Sequence, residues 1–119
     1  MKYLCLVYGE EQKIGEMDDR HCLDCDAELR ARGQCIASEA LEPVATATTV
    51  RVRNGRMAVT DGPFAETKEQ LAGFYLIEAR DLNDAIQIAA KIPAVEVGCV
   101  EIRPIRPIRE QPRTGRQHD

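Results

Sequence analysis

Two segments of this sequence carry apolar side chains at consecutive positions, and they constrain the fold more than any other feature. The segments are KYLCLVY (2–8) and LAGFYLIEA (71–79). Successive residues of a strand point to opposite faces of a sheet, so Phe74 and Tyr75 lie on different sides. Antiparallel sheets with one solvated face alternate apolar with polar residues, and these strands do not. We therefore expect both faces of their sheet to be covered.

The rest of the chain supplies two helices and four further strands. The predicted elements are a helix over 17–32 capped by Asp18 or Asp19, a strand over 35–41, a hairpin over 47–61, a helix over 82–92 capped by Asp81, and a strand over 98–102. This βαββββαβ order predicts a ferredoxin-like α+β sheet with an added hairpin and two helices on one face. A second copy of the sheet is the simplest cover for the other face, so we expect a homodimer. A ligand pocket on that face is a compatible alternative.

The hairpin has the clearest local signal. Asn54-Gly55 suits a type I′ turn, in which both central residues have positive φ. A two-residue turn sets Val52 opposite Met57, so that apolar side chains meet apolar side chains on one face. We expect the register to follow this turn along the whole hairpin.

Charge and composition exclude several classes of function. The chain of 119 residues has a net charge of −4, and residues 103–119 carry +3 from five Arg against two acids, so residues 1–102 carry −7. Such an acidic body is a poor nucleic-acid surface, and 4% aromatic residues without Trp argue against base stacking. No apolar run reaches membrane-spanning length. We expect one domain over 1–105 and an Arg/Pro-rich tail over 106–119 that is flexible.

The cysteines indicate a reducing environment. Five Cys without regular spacing, in a chain whose first residues lack the pattern of a signal peptide, are typical of reduced thiols in the cytoplasm. His21, Cys22 and Cys25 offer three soft ligands, one short of a closed zinc site. We interpret the two Cys as small hydrophobes that face the core and His21 as exposed. The sequence predicts no metal and no cofactor.

The segment 61–69 is the best candidate for a functional site. Pro63 makes a rigid corner after Asp61, and three acids with Lys68 lie within nine residues. The hairpin register places Asp61 at the end of the apolar face, where burial would raise its pKa and suit it to general acid–base catalysis. The alternative is that Asp61 accepts backbone hydrogen bonds that hold the turn. Thr67 followed by Gln70 fits a capping box and predicts a helical turn.

A basic patch on the hairpin is a second candidate. Arg51, Arg53 and Arg56 share one face of the predicted hairpin, and guanidinium groups bind carboxylates and phosphates in a bidentate manner. The ordinary interpretation is a solvated face or pairing with the acidic body.

Several motifs together resemble the YCII-related family in its DGPF branch. They are VTDGPFAETKEQL (59–71), MKYL (1–4), ATATTVR (45–51), GFYLI (73–77) and VEIRPI (100–105). The resemblance covers the chain apart from about its last dozen residues. It implies a dimeric α+β barrel, in which two ferredoxin-like subunits pack sheet to sheet. Some YCII-like members resemble enzymes acting on small ring compounds, and some DGPF members are associated with sigma factors.

Two functions from different classes follow from these observations. The first is an enzyme of small-molecule metabolism with lyase-like or isomerase-like chemistry in a barrel pocket, with Asp61 as acid or base. The second is a non-catalytic ligand-binding or accessory module linked to transcription regulation, and a dimer without any ligand is a third interpretation. The residues expected to line a binding site are Tyr8, Arg51, Pro63, Phe64, Glu66, Lys68 and Tyr75.

Overall fold

The computed structural model describes residues 1–109, which form a layer of helices packed on a β-sheet, and a separate β-hairpin. The strands are β1 Lys2–Gly9, β2 Cys35–Ala40, β3 Thr48–Arg53, β4 Arg56–Asp61, β5 Gln70–Glu78 and β6 Gly98–Pro104. The helices are α1 Glu11–Gly15, α2 Asp19–Ala31 and α3 Leu82–Ala89, with short 3₁₀ turns at Val44–Thr46 and Pro93–Glu96. Residue 109 is the last described residue, so most of the predicted tail lies outside the described part of the chain.

The main sheet has four antiparallel strands in the order β2-β5-β1-β6. Numbered along the chain, these are the second, third, first and fourth strands of the sheet, which is the ferredoxin-like arrangement. The predicted fold class is confirmed. The hairpin of β3 and β4 is inserted between β2 and β5 and forms a two-stranded sheet of its own.

The hydrophobic core lies between the helices and one face of the sheet. On this face Tyr3 pairs with Ile77 and Cys5 pairs with Tyr75, and all four side chains are buried. Leu29 of α2 completes the layer from the helix side and is fully buried. Burial of such apolar surface is the main favourable contribution to folding.

The predicted helix caps are confirmed. The Asp18 carboxylate accepts a hydrogen bond from the backbone N–H of Arg20 at 2.8 Å, and the Asp81 carboxylate accepts one from the N–H of Asp84 at 2.9 Å. Each interaction satisfies one of the N–H groups that a helix leaves free at its start.

Helix α3 ends at Ala89, three residues before its predicted end at Ile92. Pro93 disfavours helical geometry at the residue before it, and Ile92 is accordingly extended, with ψ 123°. The turn after α3 is tighter than an α-helical turn: the N–H of Ile92 donates to the carbonyl of Ala89, three residues earlier, at 3.0 Å.

Helix α1 was not expected from the sequence. It is five residues long and mostly polar, so it has no apolar periodicity that could predict it. Ile14 is its contact with the core. A Cβ atom at Gly9 would lie 2.7 Å from the Ile14 Cδ1 atom, so glycine at this position allows α1 to pack against the end of β1.

The predicted hairpin is confirmed in register as well as in position. Asn54 and Gly55 have φ values of 53° and 74°, as a type I′ turn requires, and Val52 lies opposite Met57. The apolar face of the hairpin is open to solvent in the single chain, with Met57 71% exposed.

The second face of the main sheet is open in the single chain. Leu4 pairs with Leu76 and Leu6 pairs with Phe74 on this face, and all four are half-buried. Within residues 1–109 the helices pack on the opposite face, so the molecule is one helix layer on one sheet layer. No helix among these residues is long and apolar enough to cross a membrane.

Candidate functional site

A cavity of about 330 Å³ lies between α2 and the helix-covered face of the main sheet. Its walls come from β1, α1, α2, β2, β5 and the turn after α3. Val7, Ile14, Met17 and Ile92 supply apolar surface to it. The volume lies at the lower end of the range of small-molecule sites, and predominantly apolar walls are typical of them.

The polar part of the cavity centres on Asp26 of α2. One carboxylate oxygen accepts a hydrogen bond from Arg30 Nε at 2.8 Å, and the other accepts one from the Ser38 hydroxyl. The Cys35 thiol lies 3.6 Å from the same oxygen as Ser38. These contacts join α2 to β2 and hold the Asp26 side chain in one orientation.

This network keeps Asp26 ionised. Burial by itself would raise the pKa of the carboxyl group, but the hydrogen bonds from Ser38 and Arg30 and the charge of Arg30 outweigh it, and the pKa of Asp26 is lowered. A carboxylate with a lowered pKa is a poor proton donor near neutral pH. Its chemistry in the cavity is to accept hydrogen bonds and to attract positive charge.

Tyr75 lines the cavity from β5 and is only 9% exposed. Burial raises the pKa of its phenol, and the neighbouring acidic groups Cys25, Cys22 and Asp26 raise it further. The phenol therefore stays protonated at neutral pH and offers a neutral ring and a hydroxyl donor.

The thiols near the cavity are also neutral. Burial is the main cause of the raised pKa of both Cys22 and Cys25, and the Cys25 thiol lies 3.5 Å from the carbonyl oxygen of Lys91. Thiols with raised pKa are weak nucleophiles, so neither residue is suited to covalent catalysis. Cys25 is buried and His21 is exposed, in line with the sequence interpretation. Among residues 1–109 no three His, Cys, Asp or Glu side chains are grouped to hold a metal ion.

The predicted binding residues are dispersed over four places in the single chain. Tyr75 lines the cavity, whereas Tyr8 is on the opposite face of the sheet, and Arg51 is on the hairpin. The others belong to the connection between β4 and β5, where Phe64 is 79% exposed. This connection contributes Pro63, Phe64, Glu66 and Lys68 to the predicted set.

Asp61 ends β4 and is exposed in the single chain. The corner after it is held by Gly62, whose N–H donates to the carbonyl of Ala47 at 2.7 Å and whose carbonyl accepts from the Thr49 hydroxyl at 2.8 Å. Gly62 has φ 99°, a conformation that residues with a Cβ rarely adopt. Backbone and Thr49 contacts therefore fix the corner, and no hydrogen bond to the Asp61 carboxylate forms within the described part of the chain.

The helical turn predicted at Thr67 is wrong. The Gln70 amide donates to the carbonyl of Thr67, and the Thr67 hydroxyl donates to the carbonyl of Glu69 at 2.6 Å. In a capping box the side chains would instead bond backbone N–H groups. Gln70 pairs with Gly9 as the first residue of β5, so the chain enters a strand here.

Sequence reasoning missed Asp26 and Ser38 as cavity residues. Asp26 and Arg30 are four residues apart on a helix, which is the usual spacing of a surface ion pair. Ser38 is on a different element, twelve residues further along. The contact depends on how α2 packs against β2, and no local pattern encodes that packing.

Comparison with known proteins identifies the family. Residues 1–109 match the model of the YCII-related domain. The chain belongs to the YCII-related family. An uncharacterised protein of Rhizobium meliloti (strain 1021) is 37% identical over 114 residues, a match that covers 88% of this chain and 92% of that protein. The resemblance to the YCII-related family drawn from the motifs is therefore confirmed.

Proposed function

We propose that this YCII-related protein binds a small, largely apolar molecule in the cavity between α2 and the sheet. The cavity itself is the observation that carries the proposal: about 330 Å³ of space with apolar walls and a fixed polar group at Asp26. A few convergent polar groups in an apolar pocket are typical of sites that orient a ligand.

The polar group is held in place before any ligand arrives. Arg30 and Ser38 contact different oxygens of Asp26, so the carboxylate has little rotational freedom left to lose on binding. Pre-organisation of this kind favours affinity, because ordering side chains is one of the costs of association.

We propose further that the protein acts as a homodimer. Leu4, Leu6, Phe74 and Leu76 form a continuous apolar surface on the open face of the sheet. Large contiguous apolar patches on soluble proteins mark interaction sites, and an isologous contact of two such faces would bury both. The dimeric α+β barrel that the resemblance implies has this contact.

Acid–base catalysis by Asp61 is a second candidate function. Asp61 shares the apolar face of the hairpin with Val50, Val52, Met57 and Val59, all of them more than half exposed in the single chain. A partner that covered this face would bury the carboxylate among apolar side chains. Asp61→Asn would then abolish turnover while ligand affinity and stability remain those of the parent chain, whereas a pure binding protein would show no turnover to lose.

A thermal-shift screen against small metabolites tests the proposal of ligand binding. A compound that binds the cavity at about one hundred times its Kd stabilises the folded protein by about 2.7 kcal/mol, which raises Tm by roughly 10 °C in a chain of this size. If no compound in a broad set of ring compounds, amines and carboxylic acids moves Tm, the proposal is contradicted.

Two variants on the same helix then locate the site. Cys22 lines the cavity and is half-buried, so Cys22→Leu would occupy part of the volume and reduce the ligand-induced shift. His21 is its exposed neighbour, and His21→Leu is a matched control that leaves the shift unchanged. Equal shifts in both variants would place the binding site elsewhere.

A further inference from the structure

We infer that the cavity selects organic cations, meaning small molecules with an apolar body and a protonated amino group. The inference rests on the proposed ligand binding in this cavity. Its basis is the charge of the cavity walls together with their apolar surface.

The charges around the cavity have one sign. Asp19, Asp26 and Glu39 are among its lining residues, and within residues 1–109 none of the lining residues is Lys, Arg or His. Arg30 is paired with Asp26 and offsets one of the three negative charges. Counted together with Arg30, the cavity therefore has a net negative environment of about two charges.

The three acidic residues that line the cavity have different roles, because they differ in their partners and their exposure. Asp26 has Arg30 and Ser38 as partners, so its charge is largely offset, while its carboxylate remains a fixed hydrogen-bond acceptor in the cavity. Asp19 is the first residue of α2, Glu39 is on β2, and both are exposed, so they lie where a charged group can remain partly hydrated. A ligand would place its apolar body between Ile14, Met17 and the sheet.

An anionic ligand would meet the same two carboxylates without a lining cation to offset them, and like charges at short range are repulsive. A cationic group is attracted instead. The neutral ring of Tyr75 lines the same cavity and adds to the surface that the uncharged body of such a ligand would contact. Apolar volume, charge and aromatic surface thus favour the same class of ligand.

Three compounds with nearly the same body separate charge from shape: 2-phenylethylamine, which is a cation at pH 7, neutral 2-phenylethanol, and the anion 3-phenylpropionate. Isothermal titration calorimetry of the full chain at low ionic strength gives the Kd of each. We expect the amine to bind about tenfold more tightly than the alcohol, which corresponds to one ion-pair contribution in a partly buried setting, and the acid to bind most weakly.

A charge-neutral double variant assigns the preference to the cavity. Asp19→Asn with Glu39→Gln keeps the shape of the walls, so its affinity for the amine should fall to that for the alcohol, while affinity for the alcohol stays the same. Asp24→Asn with Glu28→Gln removes the same charge from α2 at residues that do not line the cavity, and it should keep most of the preference.

The possible outcomes distinguish the preference for cations from the proposal of ligand binding on which it rests. If the wild-type protein binds the alcohol or the acid at least as tightly as the amine, the preference for cations is refuted while ligand binding stands. If both double variants lose the preference equally, it arises from the overall charge of the protein and the assignment to the cavity is overturned. If none of the three compounds binds, the preference for cations is overturned, and the thermal-shift screen decides whether the cavity binds a ligand at all.

Discussion

The two faces of the main sheet are built from the same strands and have nearly equal apolar content, yet the helices of the single chain cover only one of them. Ile77 points to the helices and is fully buried, whereas its neighbour Leu76 points to the open face and is half-buried. The helices of the described chain lie on one face only. The difference shows that the sequence places more apolar surface on the sheet than the single chain covers.

Alanine substitutions at the neighbours Ile77 and Leu76 give the largest expected effect. Ile77→Ala leaves a cavity in the core and should lower the free energy of unfolding by about 2–5 kcal/mol at any protein concentration. Leu76→Ala should cost less in the isolated chain and show a loss that varies with protein concentration, because the proposed homodimer would complete its burial. Urea unfolding at two protein concentrations measures both, and equal concentration-independent losses would contradict the distinction between the faces.

A charged side chain introduced on the open face of the main sheet gives the next largest expected effect and tests whether a partner covers that face. Leu6 lies in the middle of that face, and Leu6→Asp should leave secondary structure intact while it raises the dimer dissociation constant at least about a hundredfold, since a buried unpaired carboxylate is costly. Leu82→Asp, at an exposed position on α3, is the control that retains assembly. Analytical ultracentrifugation gives the dissociation constants, and a wild-type chain that sediments as a single subunit at micromolar concentration would refute the homodimer.

The network on the covered face predicts a change at acid pH. The pKa of Asp26 is lowered in the folded protein, so its contribution to stability is present above the unfolded pKa near 3.8 and is lost as pH falls through the lower folded value. Asp26→Asn should therefore flatten the acid limb of a plot of urea midpoint against pH between pH 2 and pH 5. Asp24→Asn, an exposed position on the same helix, should leave that limb as it is in the wild-type protein.

Cys5 predicts a smaller change at the alkaline end. Burial, with a contribution from Cys35, raises the pKa of the Cys5 thiol from 9.0 to about 11. The unfolded chain therefore ionises first, and the stability held below pH 9.0 decreases as pH rises toward about 11. Cys5→Ala should be less stable at pH 7 but should show a shallower loss over that interval. An unchanged alkaline slope would exclude Cys5 as its source.

Local features of the fold were predictable from the sequence. The Asn54-Gly55 turn sets the register of the hairpin by itself, and the caps at Asp18 and Asp81 bond N–H groups two or three residues away. The ferredoxin-like order followed from the sequence of elements. Helix α1 was not predictable, because its five residues are mostly polar and have no periodic pattern, and its position depends on the packing of Ile14 against Gly9.

The cavity was much less predictable than the fold. Tyr75 was expected in a barrel pocket, and it lines this cavity on the helix-covered face; Asp26 and Ser38, which bond each other there, meet only when α2 packs across β2. The contact of Thr67 with Gln70 is a second case in which tertiary contacts, and not the local sequence, determine the structure. The spacing fitted a helix start, but the pairing of Gln70 with Gly9 in the sheet determined the conformation.

The order of strands in the sheet has a consequence for biosynthesis. β1 is made before the other strands of the sheet, yet both of its neighbours, β5 and β6, follow only after β2 and the hairpin. Sixty residues separate the end of β1 from the start of β5, its first partner, so the nascent chain carries an unpaired, apolar strand until β5 has been made. The four-stranded sheet therefore cannot form before β5 has been made, and a ribosome stalled earlier would hold an apolar segment of the kind that chaperones recognise.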